Sequence, residues 1–236
     1  AEDGGPQMTW REEQIGRARL ILGDCRDILP TLAPVDLVCT DPPYGIDESS
    51  DKVSSRQRRS GGTSKALADQ RDYGAFHWDQ SAPDAALMAQ VRAAGRWNII
   101  FGGNYYDCPA AKCWLVWDKV NGDNDFADCE LAWTNLPKAV RRIRYMWNGM
   151  LREPGAQRGD HPTQKPLEVM RWCIGHAPHS ETILDPFMGS GTTGVAAVQM
   201  GKAFIGIERE ERYFDAACRR MREANGDDAG PLFIAA

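Results

Sequence analysis

Short apolar runs alternate with polar breaks along the chain, and this pattern predicts an α/β fold. Seven runs rich in β-branched, aromatic and cysteine residues have the length of strands and cover residues 18–22, 36–40, 97–101, 113–117, 129–133, 182–184 and 203–207. Helical spacing of apolar residues predicts helices at 81–94, 166–176, 192–200 and 210–224. Ser81 and Asp84 supply a cap signal for the first helix, and Gly201 follows the third. Strands that alternate with helices indicate a single doubly wound, mostly parallel, seven-stranded sheet with helices on both faces.

Composition favours one cytoplasmic domain. The 236 residues suffice for a substantial core, and the 42% hydrophobic content is divided into runs shorter than the roughly 18 residues of a membrane span. We expect one domain over residues 8–225, with residues 1–7 a cloning remnant before Met8 and residues 226–236 a C-terminal tail. The seven cysteines form no C-x-x-C pair, which indicates reduced thiols. The four histidines lack ligand spacing, so we expect no metal.

The tetrapeptide Asp41-Pro42-Pro43-Tyr44 directly follows an apolar strand and is the first candidate for chemistry. The two prolines stiffen the turn and remove its N–H groups, so the Pro42 carbonyl can point outward beside the Asp41 carboxylate. Two such acceptors suit one exocyclic NH2 group, and Tyr44 offers a ring face on which a base can stack. For the tetrapeptide alone, a turn in which Asp41 only caps the strand end is the alternative interpretation.

A second motif, TILDPFMGSGTT at residues 182–193, predicts a strand that ends in an acid, a glycine-rich turn and the start of a helix. The following strand ends in Glu208, the position at which a βαβ unit binds ribose hydroxyls. The candidate cofactor contacts in this unit are Asp185, Phe187, Gly189, Ser190, Gly191, Thr192, Thr193 and Glu208.

Two phosphate-binding interpretations compete with a nucleoside site at this turn. No lysine precedes Thr192, which argues against a P-loop, although glycines at 189, 191 and 194 satisfy the dinucleotide spacing. A carboxylate at the strand end would repel a pyrophosphate and attract an ammonium or sulfonium group. The turn therefore favours a nucleoside that carries a positive charge over NAD.

Together, DPPY and DPFMGSGTT resemble the motifs of the S-adenosylmethionine-dependent DNA amino-methyltransferases, and their order resembles the circularly permuted beta class of that family. The resemblance implies a class I methyltransferase-like fold, S-adenosylmethionine as cofactor and DNA as partner. It implies direct in-line transfer of the methyl group to a flipped-out base, with Asp41, Pro42, Pro43 and Tyr44 as the catalytic residues and Asp41 also near the cofactor. By the same resemblance, Asp24 and Cys25 contact the cofactor adenine, and Thr163 and Lys165 of HPTQKP close over its methionine end.

The acceptor base is less sharply defined by the resemblance than the reaction. DPPY in this class is more often associated with N6 of adenine, so adenine is favoured, and N4 of cytosine is the alternative. A catalytically silent DNA-binding regulator is opposed by the intact motifs. Protein-glutamine methylation is weaker still, since that family resembles NPPY with the cofactor motif first. The recognition sequence and a restriction-modification, phage or regulatory role stay open.

Basic residues are clustered in two segments, although the net charge of the chain is −5. Segments 52–71 and 138–158 each carry six basic residues against one acid, and residues 49–74 are also expected to form a mobile loop. We predict that both segments contact DNA phosphates, with solvated loops as the alternative. The predicted DNA contacts are Arg56, Arg58, Arg59, Lys138, Arg141, Arg142, Arg144 and Trp147. Residues 135–160 leave little room for a recognition domain, so either a short loop reads the DNA or a second subunit of a homodimer helps.

Overall fold

The computed structural model describes residues 10–45, 82–120, 127–147 and 164–226. Its strands are β1 Arg11–Ile15, β2 Ala18–Leu22, β3 Val35–Thr40, β4 Gly95–Phe101, β5 Cys113–Asp118, β6 Cys129–Thr134, β7 Arg141–Arg144, β8 Thr182–Asp185 and β9 Ala203–Glu208. Its helices are α1 Cys25–Ile28, α2 Ala85–Ala93, α3 Leu167–Gly175, α4 Thr192–Gln199 and α5 Glu211–Asn225, with a 3-10 turn at Leu29–Thr31.

Several predicted features lie outside the described residues. They are the N-terminal segment 1–7, the loop 49–74 with Arg56, Arg58 and Arg59, the cap residue Ser81, the cofactor candidate Thr163 and the tail from residue 227 onward. The predicted helix at 81–94 is described from its second cap candidate, because Asp84 is the N-cap of α2 and accepts a hydrogen bond from the backbone N–H of Leu87.

The sheet is mostly parallel, as predicted, but within the described ranges it has nine strands and not seven. Its order is β1-β2-β9-β8-β3-β4-β6-β5-β7. The five strands from β2 to β4 in this order are mutually parallel, while β1 is antiparallel to β2 and β6 is antiparallel to both of its neighbours. The carboxyl ends of the five parallel strands therefore lie at one edge of the sheet.

The two strands that the sequence does not predict, β1 and β7, lie at the two edges of the sheet. Their sequences are REEQI and RRIR, in which charged residues outnumber apolar ones and hide the alternation of a strand. Such edge strands need only one apolar face, and charged side chains on them disfavour pairing with other chains.

The core has two layers, one on each face of the sheet. On β3, Leu37 and Cys39 pack with α3, α4 and α5, whereas Val38 packs with α1 and α2. Two buried strand tryptophans follow this division, because Trp117 is buried in the first layer and Trp133 in the second. Across the described ranges, no helix combines the length and the apolar character needed to cross a membrane.

Candidate active site

The polar residues predicted from the two motifs meet at the carboxyl edge of the sheet. Asp41 follows β3, Asp185 ends β8 and Glu208 ends β9, and these strands are neighbours in the order β9-β8-β3. On the far side of β9, the backbone N–H of Gly23 after β2 donates to the carbonyl of Glu208 at 2.9 Å. The fold therefore places the acceptor motif and the glycine-rich turn beside each other.

Asp185 joins the two motifs through its buried carboxylate. The side chain is 2% exposed and accepts hydrogen bonds from the hydroxyls of Thr40 and Thr193, both at 2.6 Å. It also accepts from the backbone N–H of Phe187 at 3.1 Å. Burial raises the pKa of Asp185 to about 6, although these hydrogen bonds oppose the rise. Both carboxylate oxygens thus serve protein donors, and Asp185 ties the end of β3 to the start of α4.

The glycine-rich turn bends through two left-handed residues, Gly189 with φ of 53° and Gly191 with φ of 81°. A Cβ at Gly189 would meet nothing within 4 Å, so this glycine borders open space that a ligand can enter. A Cβ at Gly191 would lie 3.0 Å from Ala217 and from Met221 of α5. Gly189 is therefore required only by its left-handed backbone. Gly191 is required by its left-handed backbone and also by its close packing against α5.

Glu208 holds this turn from the next strand. Its carboxylate accepts from the backbone N–H of Gly189 at 2.9 Å and from that of Glu210 at 2.8 Å. Burial raises the pKa of Glu208 to about 7, again against its backbone hydrogen bonds. Each carboxylate oxygen has a further lone pair, so the group can still accept hydrogen bonds from two ribose hydroxyls.

The hydroxyls predicted to contact a cofactor are held by Arg220, a residue of α5 that the sequence does not single out. Its guanidinium donates to the Ser190 carbonyl at 2.6 Å, to the Ser190 hydroxyl at 3.1 Å and to the Thr192 hydroxyl at 3.1 Å. Ser190 also donates to the side chain of Gln164 at 3.2 Å. Hydrogen bonds from α5 thus hold the turn in place in the absence of a ligand.

At the predicted adenine end, Asp24 is the N-cap of α1 and accepts from the backbone N–H of Arg26 at 2.8 Å. Its side chain is exposed, whereas Cys25 beside it is buried. Burial raises the pKa of Cys25 to about 12, so this group is a neutral thiol.

The acceptor motif is braced by tyrosines on both sides. Tyr44 donates from its hydroxyl to Asp41 at 2.6 Å, which fixes one oxygen of the carboxylate. Tyr106 places its hydroxyl 3.0 Å from the Pro42 carbonyl and 2.9 Å from the Pro43 carbonyl. The Pro42 carbonyl, predicted as an outward acceptor, therefore already has a partner within the protein and keeps one further lone pair.

The ring of Tyr44 lies between a glycine and a second aromatic ring. A Cβ at Gly102, whose φ is 68°, would lie 2.2 Å from the Tyr44 ring, so only glycine fits there. Tyr105 stacks on Tyr44 with a centroid distance of 5.0 Å and an interplanar angle of 19°, and Tyr105 is itself 49% exposed. In this structure, Tyr105 therefore covers a face of Tyr44.

Lys165, predicted to lie at the methionine end of the cofactor, lies beside the acceptor motif in this structure. Its buried ammonium forms an ion pair with Asp41 and another with Glu130 at 2.9 Å. Glu130 pairs in turn with Lys119 at 2.5 Å. Sequence reasoning missed Glu130 and Lys119; the available signal was a single acid in the otherwise apolar run of β6.

The charges in this group support one another. Burial opposes ionisation of Glu130, but the ammonium groups of Lys165 and Lys119 outweigh burial and lower its pKa to about 2. Burial alone would lower the pKa of Lys165, but Asp41 and Glu130 outweigh burial and raise it. Burial raises the pKa of Asp41 against the pull of Lys165, and the charge of Glu130 adds to the rise.

The predicted DNA contacts after residue 138 form an exposed surface along β7. Arg142 and Arg144 lie 3.8 Å and 3.2 Å from Asp118, with side chains more than 60% exposed. Lys138 donates to the carbonyl of His176 at the end of α3, so its ammonium is engaged inside the protein. The other members of this set, Arg141 and Trp147, are exposed and half-buried, respectively.

Among the described residues, no group of three or more His, Cys, Asp or Glu side chains is arranged to hold a metal ion.

Residues 109–219 match a family model described as DNA methylase. The Type II methyltransferase M2.LlaDCHI of Lactococcus lactis subsp. cremoris is 39% identical over 85 residues, which are 35% of this chain and 32% of that protein. The chain thus matches about a third of the length of this curated relative.

Solved structures extend the likeness of fold over most of the chain. The M1.HpyAVI-SAM complex has a TM-score of 0.52 and 23% identity, covering 86% of this chain and 99% of its own. The cytosine-N4-specific PvuII DNA methyltransferase has a TM-score of 0.50 and 14% identity, covering 89% and 91% of the two chains. These likenesses confirm the predicted class I methyltransferase-like fold. The chain is therefore similar to the DNA methylase family over residues 109–219, and similar in fold to these solved structures over most of its length.

Proposed function

We propose that the protein is a site-specific DNA methyltransferase that transfers a methyl group from S-adenosylmethionine to N6 of adenine. The observation that carries the proposal is the buried link from Thr40 through Asp185 to Thr193. It sets the amine-gripping carboxylate of Asp41 and the glycine-rich turn at fixed positions on one sheet edge. A transfer between two bound molecules requires such a fixed relation between their sites.

The residues of the turn fit a nucleoside cofactor. Glu208 offers carboxylate lone pairs to ribose hydroxyls, Gly189 leaves open space for close approach, and Asp24 offers an exposed carboxylate to the adenine. When bound, S-adenosylmethionine supplies an electrophilic methyl group on a sulfonium. The M1.HpyAVI structure, whose fold is similar, was solved as a complex with this cofactor, which supports the proposal.

Asp41 performs the central step. An exocyclic amine has its lone pair delocalised into the ring, so it becomes nucleophilic only when acceptors hold its hydrogens and favour a tetrahedral nitrogen. The Asp41 carboxylate accepts one hydrogen and places negative charge next to the cation that develops as the methyl group arrives. Tyr44 keeps the carboxylate oriented through its 2.6 Å hydrogen bond.

The transfer is direct, without a covalent enzyme intermediate. Cys39 is the thiol nearest to the acceptor motif along the chain, and burial raises its pKa well above the ordinary value. Since the thiolate is the reactive form, a fully buried neutral thiol is a poor nucleophile. The target base has to leave the DNA stack to reach Asp41, and its receiving surface is the ring of Tyr44, where it takes the place of Tyr105.

N4 of cytosine is the second candidate acceptor. The observation in its favour is that the PvuII enzyme, whose fold is similar, is cytosine-N4-specific. A carboxylate that holds an NH2 group serves either base, so the grip of Asp41 does not distinguish them.

The test joins residue to product. DNA incubated with the protein and S-adenosylmethionine, then hydrolysed to nucleosides, should contain N6-methyladenine by mass spectrometry. Asp41→Ala should abolish transfer while cofactor binding survives, and Asp41→Asn should leave greatly reduced activity. As a matched control, Asp215→Ala removes an exposed carboxylate of α5 that pairs with Arg11 at 2.9 Å, and it should keep full activity. Finding only N4-methylcytosine would establish the second candidate, and an active Asp41→Ala protein would refute the mechanism.

A further inference from the structure

Four charges of alternating sign lie in one row beside the acceptor motif. They are Asp41 after β3, Lys165 ahead of α3, Glu130 on β6 and Lys119 after β5. The side chain of Lys165 is 9% exposed, that of Asp41 is 24% exposed, and those of Glu130 and Lys119 are each 19% exposed. Four separate parts of the chain thus bring ionised groups into one largely buried cluster.

Such a cluster is not explained by stability alone. Removing charges from water is costly, and buried ion pairs are often no more stabilising than apolar side chains of the same volume. The cluster also touches the group on which the proposed reaction depends, because the Lys165 ammonium contacts Asp41 and lies 3.3 Å from the Tyr44 hydroxyl. We therefore looked for the role of the cluster in the ionisation and orientation of Asp41.

We propose that Lys165, held in place by Glu130, is a positioning residue that keeps Asp41 ionised and oriented to accept the target amine. This inference deepens the proposed function and rests on it. Asp41 and Glu130 both approach the Tyr44 hydroxyl, at 2.6 Å and 3.5 Å, so they are two carboxylates in one site. Without an ammonium between them, like-charge repulsion and burial would protonate one of the two. A protonated Asp41 carries a donor where the amine needs an acceptor.

The two neighbours of Asp41 should act on it in opposite directions. Lys165→Met removes the positive charge, so the pKa of Asp41 should rise. Glu130→Gln removes the negative charge that competes for Lys165. The Lys165 ammonium then pairs with Asp41 alone, so the pKa of Asp41 should fall. Beyond the row itself, the titratable groups that interact with Asp41 are Tyr44, Cys39 and Asp185, and Tyr106 lies on the carbonyl of the next residue, Pro42. These groups are unchanged in both variants, so their contributions cancel in the comparison.

The first measurement is the rate of single-turnover methyl transfer to unmethylated plasmid DNA between about pH 5 and pH 9. The acidic limb of the profile should move up by at least about one pH unit in Lys165→Met, so that the rate on that limb falls about tenfold and recovers toward alkaline pH. In Glu130→Gln the acidic limb should move to lower pH. In Lys165→Arg, which keeps the positive charge, the limb should stay at the same pH. Lys202→Met is the matched control, because Lys202 pairs with Glu181 at 2.9 Å with its side chain 14% exposed.

A second measurement does not depend on activity or on DNA. The carboxyl carbon of Asp41, assigned by NMR with the help of Asp41→Asn, should titrate higher in Lys165→Met and lower in Glu130→Gln. Affinity for S-adenosylmethionine should stay within about threefold in both variants, since a positioning role at Asp41 leaves the cofactor contacts intact. If Asp41 titrated at the same pH in all variants, the inference would be overturned. It would also be overturned if Lys165→Met lost affinity for S-adenosylmethionine while the acidic limb of its pH–rate profile did not move. The expected titrations in a protein that methylates no DNA would support the inference and overturn the proposed function.

Discussion

The buried link at Asp185 leads to a prediction about stability that depends on pH. Thr193→Val keeps the shape of the side chain and removes the hydroxyl that donates to Asp185 at 2.6 Å. A hydrogen bond to a charged group contributes about 1.5–3 kcal/mol, and one between neutral groups about 0.5–1.5 kcal/mol. The pKa of Asp185 is raised to about 6, so the lost bond is charged at pH 8 and neutral at pH 5.

The sign follows from proton linkage. Because the folded pKa of Asp185 lies above its ordinary value, the folded chain binds the proton more tightly, and stability falls as pH rises from about 4 to about 6. Removing a donor raises that pKa further, so the variant loses more stability over the same rise. We expect Thr193→Val to cost about 1 kcal/mol more at pH 8 than at pH 5, or about 2–4 °C in the midpoint of thermal unfolding.

Urea unfolding followed by circular dichroism at the two pH values measures this difference directly. Thr31→Val is the matched control, because Thr31 donates to the carbonyl of Ile28 at 2.8 Å, an acceptor that does not titrate. Its cost should be the same at both pH values. If Thr193→Val also costs the same at pH 5 and pH 8, Asp185 is not the ionised acceptor that the structure implies, and the reasoning fails.

The remaining predictions concern the ligands. Because burial raises the pKa of Glu208 to about 7, affinity for S-adenosylmethionine should weaken by up to about tenfold per pH unit below 7, and Glu208→Gln should remove this dependence in calorimetry. Replacing Arg141, Arg142 and Arg144 together by Ala should weaken binding to all DNA sequences and reduce the salt slope by about 0.9 for each lost phosphate contact. An unchanged slope would make β7 an ordinary exposed strand.

Apolar patterning was sufficient to predict the central sheet and the four longer helices that the structure describes. All seven predicted strands are present, since each is an apolar run buried on at least one face. The two missed strands are the edge strands, where charged side chains remain in water and leave no pattern of alternation. The short helix α1 was missed because four residues give too few apolar positions for a helical period.

The candidate site was predictable where its residues belong to short motifs at the ends of strands. Asp41 follows β3, and Asp185 and Glu208 end β8 and β9, so the topology alone brings them to one edge of the sheet. Lys165 contacts Asp41, and Glu130 contacts Lys165, from distant parts of the chain. No local sequence pattern predicts such contacts. The resemblance predicted Lys165 near the cofactor; it did not predict that two carboxylates, Asp41 and Glu130, bind its ammonium.

Under the proposed function, the stack of Tyr105 on Tyr44 makes base entry an exchange of one aromatic partner for another. A base gains about 1–3 kcal/mol by stacking on an aromatic ring, but the protein gives up a tyrosine pair that contributes about 0.5–1.5 kcal/mol. Only the difference remains to offset removal of the base from the DNA helix. Stacking is therefore a weak source of preference among the four bases, and selection of an amino-bearing base depends on the hydrogen bonds that Asp41 can form.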